Sequence, residues 1–305
     1  MAEEMAMDEL RFDGRVVIVT GAGGGLGREH ARLLAARGAR VVVNDLDGPE
    51  GDPSPAHAVV DELRADGGDA VAAVASIATQ EGAAAIVAAA VESFGRLDAL
   101  INSAGIFETR PLAETDLDNF VKHVTVNLVG TAAMCFAAWP HLVASGRGRI
   151  VNTMSSAGVL GLPSRVSYGA SKSGIIGLTK CLATEGLADG VKVNLVNPSA
   201  RTAMWVDPAT GGEVAGVPRA PDDGPDPNRA EQVSPLFAVL AHETCPTTGE
   251  MYNAGAGVVA RQFFADATGF GDLELTPEKL VERWPEVVDE SAPFVPTTLA
   301  PRRAR

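Results

Sequence analysis

Cysteine and aromatic residues are scarce in this chain of 305 residues. Its three cysteines lie far apart and form no C-x-x-C pair, so the sequence predicts neither a disulfide framework nor a thiolate metal site. Aromatic residues make up 5% of the chain, whereas 46% of it is hydrophobic and dominated by small residues such as alanine and valine. This composition favours helices packed on a parallel sheet.

Positive charge and long apolar runs are also scarce. The formal net charge of −14 argues against nucleic-acid binding, because phosphate backbones attract clustered Lys and Arg. No uninterrupted apolar run reaches the roughly 18 residues of a membrane span, the acidic first residues do not resemble a signal peptide, and the last residues match no retention signal. We therefore expect a cytoplasmic protein that binds no metal, nucleic acid or membrane.

Short β-branched runs alternate with helical patterns along most of the chain. Strands are predicted at 15–20, 40–45, 69–76, 97–105, 148–156 and 191–198, with a short one at 249–255. This alternation predicts an α/β fold, a doubly wound parallel sheet (Rossmann-like) with helices on both faces.

We expect one dinucleotide-binding catalytic domain over 12–256 and a C-terminal extension over 257–305 with a short helix. A long helix is predicted from about 116 to 145, with Pro140 kinking or ending it. The Pro- and Gly-rich stretch at 45–58 is predicted to be an exposed loop, and 207–230 a lid or a disordered loop.

A glycine-rich loop, TGAGGGLG at 20–27, lies between the first predicted strand and the first predicted helix. Its glycines fit neither G-x-G-x-x-G nor a triphosphate-binding loop, so a flexible turn is the alternative interpretation. Asp45 at the end of the second strand favours a dinucleotide, since a carboxylate there accepts hydrogen bonds from the adenosine ribose. It would also repel a 2′-phosphate, which predicts NAD rather than NADP.

The segment SYGASK supplies a candidate proton-handling site. Tyr168 and Lys172 are four residues apart, so both lie on one face of the predicted helix 166–188. A neighbouring ammonium and a cationic nicotinamide ring would lower the pKa of Tyr168 toward neutrality. Ser155, at the end of the fifth strand, is placed to hold a substrate oxygen. A solvated Tyr–Lys helix pair is the alternative for this motif taken alone.

Taken together, these motifs resemble the short-chain dehydrogenase/reductase family over roughly residues 12–256. TGAGGGLG, NSAG at 102–105, Asn127 in VNLVGT and the set Ser155, Tyr168 and Lys172 are similar to its motifs in order. The resemblance implies that Tyr168 exchanges a proton with the substrate, Ser155 orients the substrate oxygen, Lys172 binds the nicotinamide ribose, and Asn127 holds a water in a proton relay. It also implies a set of residues that bind NAD: Gly21, Gly24, Gly25, Leu26, Gly27, Asp45, Ser76, Ile77, Asn102, Ala104, Gly105, Tyr168, Lys172, Pro198 and Thr202.

Further segments resemble one subgroup, the dehydrogenase domains of peroxisomal multifunctional D-3-hydroxyacyl-CoA enzymes. They include AHETCPTTGEMYNAGAG and LTPEKLVERW, and they imply oxidation of 3-hydroxyacyl-CoA to 3-ketoacyl-CoA. An acyl-CoA needs local cations, for which the candidates are Arg110, Arg165, Arg201 and Arg219. A hydroxysteroid or another bulky alcohol is an alternative substrate, and an NAD-binding sensor without turnover is an alternative of another class.

The family resemblance also implies a homodimer or homotetramer. Its members pair the two long helices, here about 116–145 and 166–188, across two-fold axes. We expect the same association in this chain.

Overall fold

A computed structural model describes residues 9–49, 52–202, 226 and 228–296 of the chain. Most of the predicted lid at 207–230 lies outside these residues. Within the described ranges an eight-stranded sheet has the order β3-β2-β1-β4-β5-β6-β7-β8, and neighbouring strands from β3 to β7 are parallel. The strands are β1 (Val16–Thr20), β2 (Arg40–Asp45), β3 (Asp69–Val74), β4 (Ala99–Asn102), β5 (Arg149–Thr153), β6 (Lys192–Ser199), β7 (Met251–Gly255) and β8 (Val258–Gln262).

Helices cover both faces of this sheet, which confirms the predicted Rossmann-like α/β fold. The helices are α1 (Gly25–Ala36), α2 (Pro55–Ala65), α3 (Gln80–Phe94), α4 (Leu117–His123), α5 (Gly130–Ala144), α6 (Ala157–Leu160), α7 (Val166–Asp189), α8 (Ser234–Ala241), α9 (Pro277–Glu282) and α10 (Trp284–Val287). Alternate residues of β1 face opposite sides of the sheet and belong to two different cores. Val17 and Val19 belong to the core on the α1, α2 and α8 side, whereas Val16 and Ile18 belong to the core against α3 and α5. Because both faces are buried, the strands read as continuous apolar runs.

The strand order reverses between β1 and β4, which are hydrogen-bonded neighbours although three helices and two strands separate them in sequence. At such a reversal the loops after two adjacent strands turn to opposite faces and leave a crevice at the carboxyl edge. Gly21 follows β1 and Ser103 follows β4, so the glycine loop lies at this crevice.

The helical run Leu117–Ala144 is 28 residues long and apolar enough to cross a membrane by length and composition. Polar residues such as Asn127 and Thr131 interrupt this helical run, so it contains no uninterrupted apolar stretch of that length. Met134 and Leu142 are fully buried against the sheet, as in the core helix of a folded domain. The absence of a membrane partner stays a prediction.

The chain separates into two compact units, which part between Ala260 and Arg261. In the second unit, Asp266 and Phe294 exchange two backbone hydrogen bonds of 2.9 Å. The Arg283 guanidinium lies 3.7 Å from the centre of the Phe270 ring. Helices α9 and α10 occupy the segment where a helix was predicted.

Candidate active site

The glycine loop makes a tight turn between β1 and α1 that requires residues without side chains. Gly21 has a φ of +62°, and a Cβ there would lie 2.6 Å from the Cα of Ala104. A Cβ on Gly27 would lie 2.3 Å from the carbonyl oxygen of Gly21. The loop is therefore a packed turn between β1 and β4, which argues against the flexible-turn alternative.

The N-terminus of α1 opens onto the crevice. Gly24, its N-cap, gives no side-chain hydrogen bond, and the first turn contains no acidic residue. A Cβ on Gly24 would meet no protein atom within 4 Å. Free N–H groups at the positive end of a 12-residue helix suit an anion such as a pyrophosphate, so this end of the crevice fits a dinucleotide.

Asp45 lies at the end of β2 beside the glycine loop, and backbone groups fix its carboxylate. Its Oδ2 accepts a hydrogen bond of 2.9 Å from the N–H of Gly23, and its Oδ1 accepts one of 2.8 Å from the N–H of Leu46. Among the described residues that line the crevice, the charged ones are Asp45, Arg165 and Lys172. The two cations are on the other side of β1 and β4, so the lining beside Asp45 is acidic.

The three predicted catalytic residues meet at the opposite end of the crevice. Ser155 follows β5, and Tyr168 and Lys172 are in the first two turns of α7. Tyr168 and Ser155 both line the crevice at this end. The Nζ atom of Lys172 donates a 3.0 Å hydrogen bond to the carbonyl oxygen of Thr153 and lies 5.8 Å from the centre of the Tyr168 ring. A phenol, a hydroxyl and an ammonium thus surround one point at the carboxyl edge of the sheet.

The expected fall in the pKa of Tyr168 is not seen in the protein alone. Burial raises this pKa, while the hydrogen bond with Ser155 and the charge of Arg165 lower it. Burial also lowers the pKa of Lys172 to about 8. The ammonium therefore stays largely protonated near neutral pH. The raised pKa of Tyr168 favours its neutral phenol in the protein alone.

These two ends belong to one crevice of about 490 Å³. Its volume is in the range of small-molecule and cofactor sites. Most of the predicted residues line it, namely Gly21, Gly24, Gly25, Leu26, Gly27, Asp45, Ser76, Ile77, Ala104, Gly105, Ser155, Tyr168, Lys172, Pro198 and Thr202.

Asn102 was predicted to bind the cofactor, but its side chain points into the protein. The amide Nδ2 donates a 2.8 Å hydrogen bond to Oδ1 of Asn152 on the neighbouring strand β5, and Asn102 is almost fully buried. The Nδ2 of Asn152 in turn donates to Thr179 of α7. In this structure Asn102 therefore links β4 to β5 and lies outside the crevice lining.

Asn127 was predicted to hold a water, and it too lies behind the crevice wall. Its Oδ1 accepts a 2.8 Å hydrogen bond from the N–H of Ile106, and its Nδ2 donates to the carbonyl of Ile106 and to Oγ of Ser171, both at 3.0 Å. Asn127 is completely buried in a π-helical turn (Val124–Val129) between α4 and α5. Such turns occur often at functional sites, and this one aims the amide at the loop after β4.

Several lining residues were not among the predicted ones. Most of them lie at or directly after the carboxyl end of a strand, so the predicted strand ends were a usable signal, because the carboxyl ends of parallel strands meet at one edge. Val126, on the π-helical turn, offered no such signal. The residues are Asn44, Leu46, Ala75, Ser103, Ile106, Phe107, Val126, Thr153, Met154 and Ala200.

The fold and the crevice together define a Rossmann-like domain of the kind that binds dinucleotides. A family model described as short chain dehydrogenase matches residues 15–209. A short chain dehydrogenase from Mycobacterium avium superposes with a TM-score of 0.78 at 37% identity and covers 95% of this chain and 99% of its own. The chain belongs to the short chain dehydrogenase family.

Two further relatives bear on the cofactor and the substrate. The peroxisomal multifunctional enzyme type 2 of Mus musculus is 36% identical over 300 residues, which are 95% of this chain. The chain spans 39% of the length of that mouse protein. Carveol dehydrogenase from Mycobacterium avium, solved in complex with NAD, has a TM-score of 0.71 at 28% identity and covers 80% of this chain and 97% of its own.

Proposed function

We propose that this chain is an NAD-dependent oxidoreductase that interconverts a secondary alcohol and a ketone. The observation that supports this best is the meeting of Ser155, Tyr168 and Lys172 in one crevice, whose other end consists of the glycine turn and Asp45. At this position the neutral phenol of Tyr168 can donate a proton to a carbonyl oxygen, and its phenolate can accept the proton of an alcohol.

The residues at the Tyr168 end have distinct tasks in alcohol oxidation. The Ser155 hydroxyl donates a hydrogen bond to the substrate oxygen, and the Tyr168 phenolate accepts the proton of the substrate hydroxyl. Lys172, anchored on the carbonyl of Thr153, supplies positive charge and donors for the nicotinamide ribose. NAD supplies the hydride acceptor when bound. In ketone reduction Tyr168 returns the proton to the substrate oxygen.

The preference for NAD over NADP rests on Asp45. A fixed carboxylate accepts hydrogen bonds from two ribose hydroxyls and repels a 2′-phosphate. Arg28, on the first turn of α1, has its guanidinium paired with Glu62 at 2.7 Å and with Glu29 at 2.9 Å. Calorimetric titration with both cofactors tests the assignment, and tighter binding of NADP would overturn it.

For the substrate we propose 3-hydroxyacyl-CoA, which is implied by the resemblance of AHETCPTTGEMYNAGAG and LTPEKLVERW to the dehydrogenase domains of peroxisomal multifunctional D-3-hydroxyacyl-CoA enzymes. Of the four candidate arginines, Arg165 lines the crevice, Arg110 pairs with Glu108, and Arg201 pairs with Asp226 at 3.0 Å. Arg219 lies outside the described residues. The apolar lining from Phe107 and Met154 favours the second candidate, a hydroxysteroid or another bulky alcohol.

A substrate panel separates these possibilities. NADH formation is followed with 3-hydroxyacyl-CoA thioesters, hydroxysteroids and simple secondary alcohols at saturating NAD. The proposal expects the highest kcat/KM with a hydroxyacyl-CoA. Higher kcat/KM with a steroid would select the second candidate. Tight NAD binding without turnover of any alcohol would contradict the enzyme and favour an NAD-binding sensor.

We also propose a homodimer or homotetramer. Large apolar side chains lie exposed along the run Leu117–Ala144, with Phe136 63% and Leu117 73% exposed. Burying such a face between two copies would remove it from water. Light scattering tests this proposal, and a monomer at micromolar concentration would contradict it.

A further inference from the structure

Arg165 is held close to the catalytic phenol by an aromatic side chain. Its Cζ atom lies 5.3 Å from the centre of the Phe107 ring, and this ring meets the Tyr168 ring edge to face with centres 4.9 Å apart. All three residues line the crevice. Phe107 thus contacts both the guanidinium and the phenol ring.

The two loops that position this group are tied together. The N–H of Arg110 donates a 2.8 Å hydrogen bond to the carbonyl of Ser164, the residue before Arg165. Ser164 has a φ of +61°, a left-handed conformation that costs about 1 kcal/mol or more in a residue with a side chain and persists only where surrounding contacts enforce it. The position of Arg165 is therefore fixed from both loops.

Among the described residues that line the crevice beside Tyr168, the charged ones are the cations Arg165 and Lys172. Arg165 is the N-cap of α7 and Lys172 lies in its second turn, and the first turn of this 24-residue helix contains no acidic residue. Ser155 after β5 is neutral. Glu108, next to Phe107, is neutralised by Lys122, whose Nζ is 2.9 Å from its Oε1.

We propose that Arg165 is a positioning residue for the proton transfer: stacked on Phe107, it adds a second positive charge beside Tyr168 and favours its phenolate. The proposal rests on the proposed function only in assigning the proton transfer to Tyr168. The charge of Arg165 lowers the pKa of Tyr168 and so opposes the effect of burial.

The first test compares charge removal with charge retention. Arg165→Gln and Arg165→Met remove the charge, and the methionine keeps an apolar contact with Phe107. Arg165→Lys keeps the charge, and Arg40→Gln is the matched control, because the Arg40 guanidinium also lies over a phenylalanine ring, 5.9 Å from the centre of Phe94, but Arg40 does not line the crevice.

The proposal expects kcat/KM for alcohol oxidation to fall about tenfold near neutral pH in both uncharged variants and to approach the parent value as pH rises, because the phenolate fraction recovers. Arg165→Lys should retain most of the activity, and Arg40→Gln should match the parent. A loss that is equal at all pH values, or equal in Arg165→Lys, would overturn the role of charge.

A second measurement does not depend on turnover. The chain has two tyrosines, so a Tyr252→Phe background leaves Tyr168 as its single phenol. Near-ultraviolet phenolate absorbance is then titrated over the alkaline range in which circular dichroism shows a folded protein. Arg165→Met should form less phenolate than the background at each pH. Identical titrations would refute the proposal even if no alcohol is oxidised, whereas an inactive parent with different titrations would contradict the proposed function alone.

Discussion

Replacing Asn127 by alanine tests whether this residue ties the loop after β4 to the helix behind it. The substitution removes three hydrogen bonds, two with the backbone of Ile106 and one with Ser171. Each contributes about 1 kcal/mol, and buried partners left without a bond add to this, so the free energy of unfolding should fall by about 3 to 4 kcal/mol.

Urea titration followed by circular dichroism measures this loss, with Thr131→Val as the matched control. Thr131 is buried one turn further along, and its Oγ1 donates a single 2.7 Å hydrogen bond to the carbonyl of Asn127. The control should therefore lose about 1 kcal/mol or less. A loss below about 1 kcal/mol in Asn127→Ala itself would refute the assignment of these hydrogen bonds as a structural tie.

Three other substitutions probe the turn, the ammonium and the cofactor preference. Gly21→Ala places a Cβ 2.6 Å from Ala104 at positive φ and should cost about 3 kcal/mol of stability in urea titrations, whereas Gly24→Ala should cost about 0.5 kcal/mol or less; equal costs would contradict the turn geometry. Lys172→Met should stabilise the protein at pH 7 by up to about 3 kcal/mol while activity is lost, because burial lowers the lysine pKa from 10.5 to about 8. Between pH values of about 8 and 10.5 the unfolded parent keeps a proton that the folded parent has lost, so the stability of the parent should rise with pH in this range. The stability difference between the parent and Lys172→Met should therefore shrink, and a difference that does not change with pH would contradict the lowered pKa of Lys172. Asp45→Ser should lower the ratio of the NADP dissociation constant to the NAD dissociation constant, both measured by calorimetry, at least about tenfold. An unchanged ratio would show that Asp45 does not select the cofactor.

The strands could be predicted because their apolar runs are buried on both faces. Strand β2 was predicted with its observed bounds, Arg40–Asp45, and β1 within one residue. Strand β8 was missed because its side chains, VVARQ, are largely exposed and do not alternate between apolar and polar. It follows β7 across a two-residue turn in which Ala256 and Gly257 both have positive φ, the geometry of a tight hairpin.

Sequence motifs indicated which residues gather at the crevice, but not which way each side chain points. Asn102 lies inside the predicted strand 97–105 and ends the observed strand β4, and the direction of its side chain depends on Asn152, 50 positions away in the chain. The π-helical turn around Asn127 gave no signal of its own in a segment predicted as one regular helix, and Pro140 lies inside α5 without ending it. Contacts between distant segments decide such details, and local patterns do not report them.

The most direct test of the central claim, that the Tyr168 hydroxyl exchanges the substrate proton beside the bound nicotinamide, is the comparison of the parent with Tyr168→Phe. The phenylalanine keeps the ring that packs on Phe107 and removes only the phenol oxygen. NADH formation should fall about 10²- to 10⁴-fold while the calorimetric dissociation constant for NAD changes by about twofold or less. Equal NADH formation by the two proteins would contradict the account.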